Sequence, residues 1–139
     1  MTSTELSLQD FALGDRIGRG RFGHVYKVQK KSSGALFAMK VLIKEELKLN
    51  GLLDQLQNEV KFQSKLKHKY VLRLLAVIQD KKRVYLFTAL AENGNMYTAL
   101  KQMVKFPEQL AGKYLKQLLN ALTYLHTKKI IHRYEKDFR

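Results

Sequence analysis

The sequence contains no cysteine, so it can form neither a disulfide framework nor a thiolate metal site. It has no apolar run approaching the ~18 residues that a membrane span needs. Its first residues, MTSTELSLQDF, combine neither a basic segment nor an apolar stretch, so no secretory signal peptide is predicted. These absences favour a soluble, intracellular protein of the cytoplasm, the nucleus or both, without membrane association.

Acidic residues are scarce as well. The chain has 12 Asp and Glu against 26 Lys and Arg, which gives a net charge of +14. Such a surface attracts nucleic acid and other polyanions. The basic residues are spread along the whole chain, however, without interleaved aromatic residues and without helix-turn-helix or zinc spacing. We therefore predict a solvated basic surface that binds polyanions non-specifically, and no specific nucleic-acid site.

The chain does contain enough apolar sequence for a core, since 45% of its 139 residues are hydrophobic and 27% are charged. Alternating apolar residues predict strands at 11–17, 24–29, 35–43, 71–78 and 84–88. Helical spacing predicts helices at 53–66, 96–104 and 108–127, the last one opened by Pro107. This order indicates an α+β fold, with the chain entering a helical region near residue 90.

A glycine-rich run, Gly18-Arg19-Gly20-Arg21-Phe22-Gly23-His24-Val25, lies between the first two predicted strands. Such a run is typical of a plain hairpin turn, of a dinucleotide-binding fingerprint, or of the loop that covers ATP phosphates in kinases. The dinucleotide fingerprint requires a helix after the glycines, and the following segment alternates like a strand. The kinase interpretation is favoured, with the trailing Val25 packed on the adenine.

Two further residues follow at the spacing that this chemistry needs. Lys40 lies on the third predicted strand, where a kinase lysine reaches the α- and β-phosphates, and Ala38 leaves room for the adenine ring. Glu59 lies in the middle of the next helix, where a carboxylate can hold that lysine. The alternatives are an ordinary surface lysine and a solvated helix-surface ion pair. Other carboxylates compete for the role of Glu59, namely Glu45, Glu46 and Asp54.

With these motifs in order, the chain resembles protein kinases, and in particular the Aurora kinases. The resemblance extends almost without gaps from residue 11 to residue 133. It is carried by Lys40–Leu42, Glu59–His68, Leu72–Leu74, Arg83–Leu86, Leu118–His126 and Ile130–Arg133. It implies a kinase N-terminal lobe, a five-stranded antiparallel sheet plus the helix that carries Glu59, over 11–88. It further implies an N-terminal tail at 1–10, a hinge at 89–95, the start of the C-terminal lobe at 96–133 and a divergent tail at 134–139.

The resemblance also implies a nucleotide site and an activity, the ATP-dependent phosphorylation of protein serine and threonine. Thr88 is then the gatekeeper, and Ala89-Leu90-Ala91 is the hinge whose backbone binds adenine. The implied ATP-binding residues are Ile17, Gly18, Gly20, Gly23, Val25, Ala38, Lys40, Thr88, Ala89 and Ala91. The catalytic pair is Lys40 with Glu59. By resemblance alone, the protein is expected in the cell cycle, at the spindle or centrosome.

The chain departs from the family pattern near its end. Family members read His-Arg-Asp, whereas this chain has Tyr134 in place of the aspartate that accepts the substrate proton. A tyrosine, with a pKa of ~10, cannot replace that carboxylate near neutral pH. The asparagine that holds Mg²⁺ would fall at Arg139, so no metal ligand is predicted in this sequence although the family uses Mg²⁺. We expect this chain to bind ATP weakly and largely independently of Mg²⁺, and to be inactive.

Three classes of function follow: an incomplete serine/threonine kinase, a non-catalytic kinase-lobe binding module, and a non-functional truncated gene product. The first is favoured as the family assignment. The helix at 108–127 adds an expectation about partners. Leu115, Leu118, Leu122 and Leu125 form an apolar stripe that nothing in this sequence is expected to cover, which predicts a protein partner or self-association.

Overall fold

The computed structural model describes residues 6–20 and 22–131, and these residues form two compact units. The first contains the chain up to Leu66 together with Arg73–Glu92. The second contains Lys67–Leu72 together with the chain from Asn93 onward. Within the described ranges, no helix is both long and apolar enough to cross a membrane.

The first unit is built on a five-stranded antiparallel sheet of order β1-β2-β3-β5-β4. A short 3-10 turn at Leu8–Asp10, capped by Ser7, leads into it. The strands are β1 Phe11–Gly20, β2 Gly23–Lys30, β3 Leu36–Ile43, β4 Leu74–Gln79 and β5 Arg83–Ala89, and the helices α1 Lys44–Leu49 and α2 Leu53–Gln63 connect β3 to β4. The α+β fold predicted from the sequence is confirmed.

Two apolar clusters divide the core of this unit between the two faces of the sheet. The first cluster lies on the face that α2 covers and consists of Leu42, Leu47, Leu56, Leu74, Val84 and Leu86. The second lies on the opposite face and consists of Val28, Met39, Tyr85 and Phe87, and the ring of Phe11 lies tilted against that of Phe87 at 4.5 Å between centroids. Side chains alternate between faces along each strand, so one sheet supplies both clusters.

The second unit consists of α3 Met96–Met103, α4 Glu108–Thr127 and the segment Lys67–Leu72. Asn95 caps α3 by accepting the N–H of Thr98 at 2.8 Å. Tyr124 holds the segment against α4: its hydroxyl accepts the N–H of Lys67 at 2.9 Å, and its ring stacks on His68 at 4.8 Å.

Several predicted details are wrong. The predicted helix 53–66 ends at Gln63, although Leu66 is buried, and β4 begins at Leu74 rather than at residue 71. The short helix α1 was not predicted. The predicted open stripe on α4 is only partly open, because Leu125 is buried and Leu122 is half-buried. Leu115 and Leu118 remain exposed, as does Leu119, which the predicted stripe did not include.

Candidate functional site

The glycine-rich run forms the hairpin that joins β1 to β2, with Gly18 paired with Val25 and Gly20 with Gly23. A Cβ atom at Gly23 would overlap the carbonyl of Val41 on β3, so only glycine fits there. A Cβ at Gly20 would lie 3.7 Å from the Cε atom of Lys40. The hairpin therefore passes close over the end of the Lys40 side chain.

Strand register brings four predicted site residues to one face of the sheet. Val25 on β2 pairs with Lys40 on β3, and Ala38 on β3 pairs with Thr88 on β5. Directly paired residues share a face, and so do residues two apart along a strand. Ala38 is buried, Val25 and Thr88 are half-buried, and Lys40 is exposed. A small, largely apolar surface next to one lysine and a glycine hairpin suits a planar base joined to phosphates.

The remaining residues of the predicted nucleotide site lie at the ends of the strands. Ile17 is exposed on β1. Ala89 closes β5, pairs with Phe37 and donates its N–H to the carbonyl of Arg73 at 3.2 Å. Ala91 is exposed beyond the end of β5. Their roles in binding adenine stay predictions.

The structure does not bring Glu59 and Lys40 together. Glu59 is exposed on α2, and its carboxylate accepts a hydrogen bond from the Gln55 amide at 3.1 Å. No ion pair joins Glu59 to Lys40 in the part of the chain that the structure describes. Their pairing stays a prediction.

The described residues do not fit a magnesium ion. Within 6–20 and 22–131, no group of three or more histidine, aspartate or glutamate side chains is placed to hold a metal. Tyr134 and Arg139, the positions at which the family pattern is lost, lie outside the described residues.

Reasoning from the sequence missed one residue at this site. Phe22, at the tip of the hairpin, packs against the first core cluster, and its carbonyl accepts the N–H of Ile43 at 3.4 Å. An aromatic residue inside a run of glycines is itself a signal, because loop tips are usually small or polar.

A glycine hairpin thus lies over a lysine, on an antiparallel sheet with a helix on the same face. The family model of the protein kinase domain matches residues 11–137, which is most of the chain. The chain belongs to the protein kinase domain family. Its five-stranded sheet followed by helices is the N-terminal lobe and the start of the C-terminal lobe of that fold.

Within the family, the chain is similar to Aurora kinases. It is 40% identical to an Aurora kinase of Schizosaccharomyces pombe over 93% of this chain and 36% of the relative. It is 41% identical to Aurora kinase A-A of Xenopus laevis over 91% of this chain and 31% of the relative. It is 42% identical to serine/threonine-protein kinase Aurora-1 of Arabidopsis thaliana over 91% and 43%. The chain thus spans less than half the length of these curated relatives.

Proposed function

We propose that this chain supplies the ATP-binding lobe of an Aurora-like serine/threonine kinase. The observation that carries the proposal is the shared face of Val25, Ala38, Lys40 and Thr88 beneath the glycine hairpin. Aurora relatives add support, because their names describe protein kinases.

Each residue has a distinct part in holding ATP. Val25 and Ala38 offer an apolar surface to the adenine ring. The backbone at Ala89 and Ala91 supplies hydrogen bonds to the adenine edge. Lys40 neutralises the α- and β-phosphates, and the hairpin brings backbone N–H groups close to them, since its glycines carry no side chains. ATP itself supplies the transferable phosphoryl group.

We further propose that a polypeptide of these 139 residues binds ATP weakly and does not transfer its phosphoryl group. Tyr134 stands where the family has the aspartate that accepts the substrate proton. Positioning and charge stabilisation carry most of this chemistry. The described residues offer no carboxylate cluster for the metal that would supply part of that charge.

Calorimetric titration with ATP, with and without Mg²⁺, tests both statements. Lys40→Met should abolish the weak binding. Lys31→Met, which removes the same charge from the exposed turn between β2 and β3, should leave it unchanged. Equal loss in both variants would mean that ATP binds the basic surface non-specifically. Low-micromolar, Mg²⁺-dependent binding, or substrate phosphorylation that Lys40→Met removes, would contradict the proposed inactivity.

A second candidate function is a non-catalytic binding module. The exposed Leu115, Leu118 and Leu119 on α4 favour it, because a contiguous apolar surface marks a site of protein contact. Binding of a protein partner that survives Lys40→Met and is lost on changing these leucines would support this function. Intracellular location, and the spindle or centrosome in particular, is proposed from the Aurora resemblance alone.

A further inference from the structure

Phe22, at the tip of the glycine-rich hairpin, packs on the core of the first unit. Its side chain is partly buried against the first core cluster. Its backbone carbonyl accepts the N–H of Ile43 at the end of β3. The segment that would cover the phosphates of a nucleotide is therefore packed, through one aromatic side chain, on the hydrophobic interior.

The same cluster also receives α2. Leu56 of α2 is one of its buried members, and Val60 packs against it from the next turn of the helix. Val60 directly follows Glu59, whose carboxylate is held by Gln55 rather than by Lys40. The hairpin tip and the helix segment that carries Glu59 thus contact one set of buried side chains.

We infer that Phe22 is a positioning residue that couples the glycine-rich hairpin to α2. Closure of the hairpin on a nucleotide and the approach of Glu59 to Lys40 are then linked, and this inference rests on the proposed ATP-binding function. The physical reason is that apolar interiors are close-packed. Because Phe22, Leu56 and Val60 share this cluster, a displaced Phe22 disturbs the packing on which the helix rests, and the position of the hairpin then biases the position of the helix.

The backbone ladder offers only an indirect route to the helix. The register connects Gly20 to Gly23, and Gly23 to Leu42 on β3, which is a buried member of the first core cluster, but no ladder pair includes a residue of α2. Gly20 and Gly23 have no side chains, so they make no side-chain contact that could transmit a displacement to the helix. Among the described hairpin residues, Phe22 is the one that packs on the first core cluster.

A double-mutant cycle on ATP affinity measures the coupling. Glu59→Gln should weaken ATP binding by about threefold or more in the parent chain, and much less in a Phe22→Ala background. Phe22→Leu, which keeps an apolar contact, should restore most of the effect. The matched control is Phe62→Ala, because Phe62 lies on α2 but is 54% exposed and outside the cluster. If Glu59→Gln weakens binding by the same factor in all backgrounds, the inference is overturned.

Amide hydrogen exchange without nucleotide gives a second readout. Val60→Ala should speed exchange at the Gly23 amide by about threefold or more relative to the amide of Val28, whose side chain lies in the second core cluster on the other face of the sheet. Phe62→Ala should leave this ratio unchanged. Equal acceleration at Gly23 and Val28 would indicate general destabilisation and would overturn the inference. If no variant binds ATP, the proposed function fails, and this exchange ratio alone decides the coupling.

Discussion

The hydroxyl of Tyr85 donates a 2.8 Å hydrogen bond to the carboxylate of Asp80, across the turn between β4 and β5. The same carboxylate accepts the backbone N–H groups of Lys82 and Arg83, both at 2.7 Å. The Tyr85 hydrogen bond, followed by these two backbone hydrogen bonds, lowers the pKa of Asp80 below its ordinary value of 3.8. Burial, followed by the hydrogen bond to Asp80, raises the pKa of Tyr85 above 10.0.

Because the folded-state pKa of Asp80 is depressed, its contribution to stability is present above the unfolded pKa and is lost as pH falls through the folded pKa. Asp80→Asn should therefore lower the urea midpoint for unfolding of the first unit at pH 7, and lower it less at pH 3, below the unfolded value of 3.8. Asp15→Asn, on exposed β1, serves as the control for the removal of one carboxylate. If Asp80→Asn lowers the midpoint equally at both pH values, the depressed pKa does not contribute to stability.

Two glycines of the glycine-rich hairpin between β1 and β2 should differ in their tolerance of a methyl group. Gly23→Ala places a Cβ on the Val41 carbonyl and should cost about 1–3 kcal/mol of unfolding free energy, the usual range for overpacking. Gly18→Ala meets only the Val25 side chain, at 3.5 Å, and should fold normally. Urea denaturation of the two variants compares them directly. Equal stability would show that the hairpin can move away from β3 at little cost.

Removing one oxygen atom should loosen the segment Lys67–Leu72. Tyr124→Phe keeps the stack on His68 but loses the acceptor for the Lys67 N–H. A hydrogen bond of this kind contributes about 0.5–1.5 kcal/mol, so exchange of the Lys67 amide should accelerate by about two- to tenfold. Tyr97→Phe, on a ring that is 64% exposed, should leave that amide unchanged. Unchanged exchange in Tyr124→Phe would mean that the stacked ring alone holds the segment.

The exposed leucines of α4 should drive self-association of the purified chain. Burying one leucine is worth ~1.5–3 kcal/mol, whereas repulsion between charged surfaces is screened beyond ~8 Å at physiological salt. Leu115→Glu combined with Leu119→Glu should therefore shift the sedimentation profile toward monomer. Lys113→Glu changes the net charge by the same two units without removing apolar surface, so it should leave association unaltered. Monomer formation by Lys113→Glu as well would assign the association to charge.

The contrast between Leu115 and Leu125 limits that experiment. Both belong to the apolar stripe predicted from the sequence, yet Leu115 is 57% exposed and Leu125 only 7%. Leu125→Glu is therefore expected to destabilise α4 rather than to reduce self-association of the chain. Circular dichroism should show a loss of helix in Leu125→Glu and not in the variant that combines Leu115→Glu with Leu119→Glu. A fully helical Leu125→Glu protein would contradict the burial of that side chain.

The sequence by itself determined the kinds of elements and the local chemistry of the candidate site. Strand alternation around Val25 and Lys40, and the spacing of Gly18, Gly20 and Gly23, are properties of residues within a few positions of each other. The periodicity of apolar residues predicts strands and helices directly, since side chains alternate along a strand and recur every three or four residues on a helix. The order of strands and helices followed, and with it the α+β fold.

Only the tertiary structure decided which surfaces are covered and which partner each polar group takes. The burial of Phe22, the pairing of Glu59 with Gln55, and the exposure that separates Leu115 from Leu125 all depend on where neighbouring elements lie. The bond from Lys67 to Tyr124 joins residues 57 positions apart. Such contacts produce no periodic pattern in the sequence, because each depends on how segments far apart in the sequence pack together.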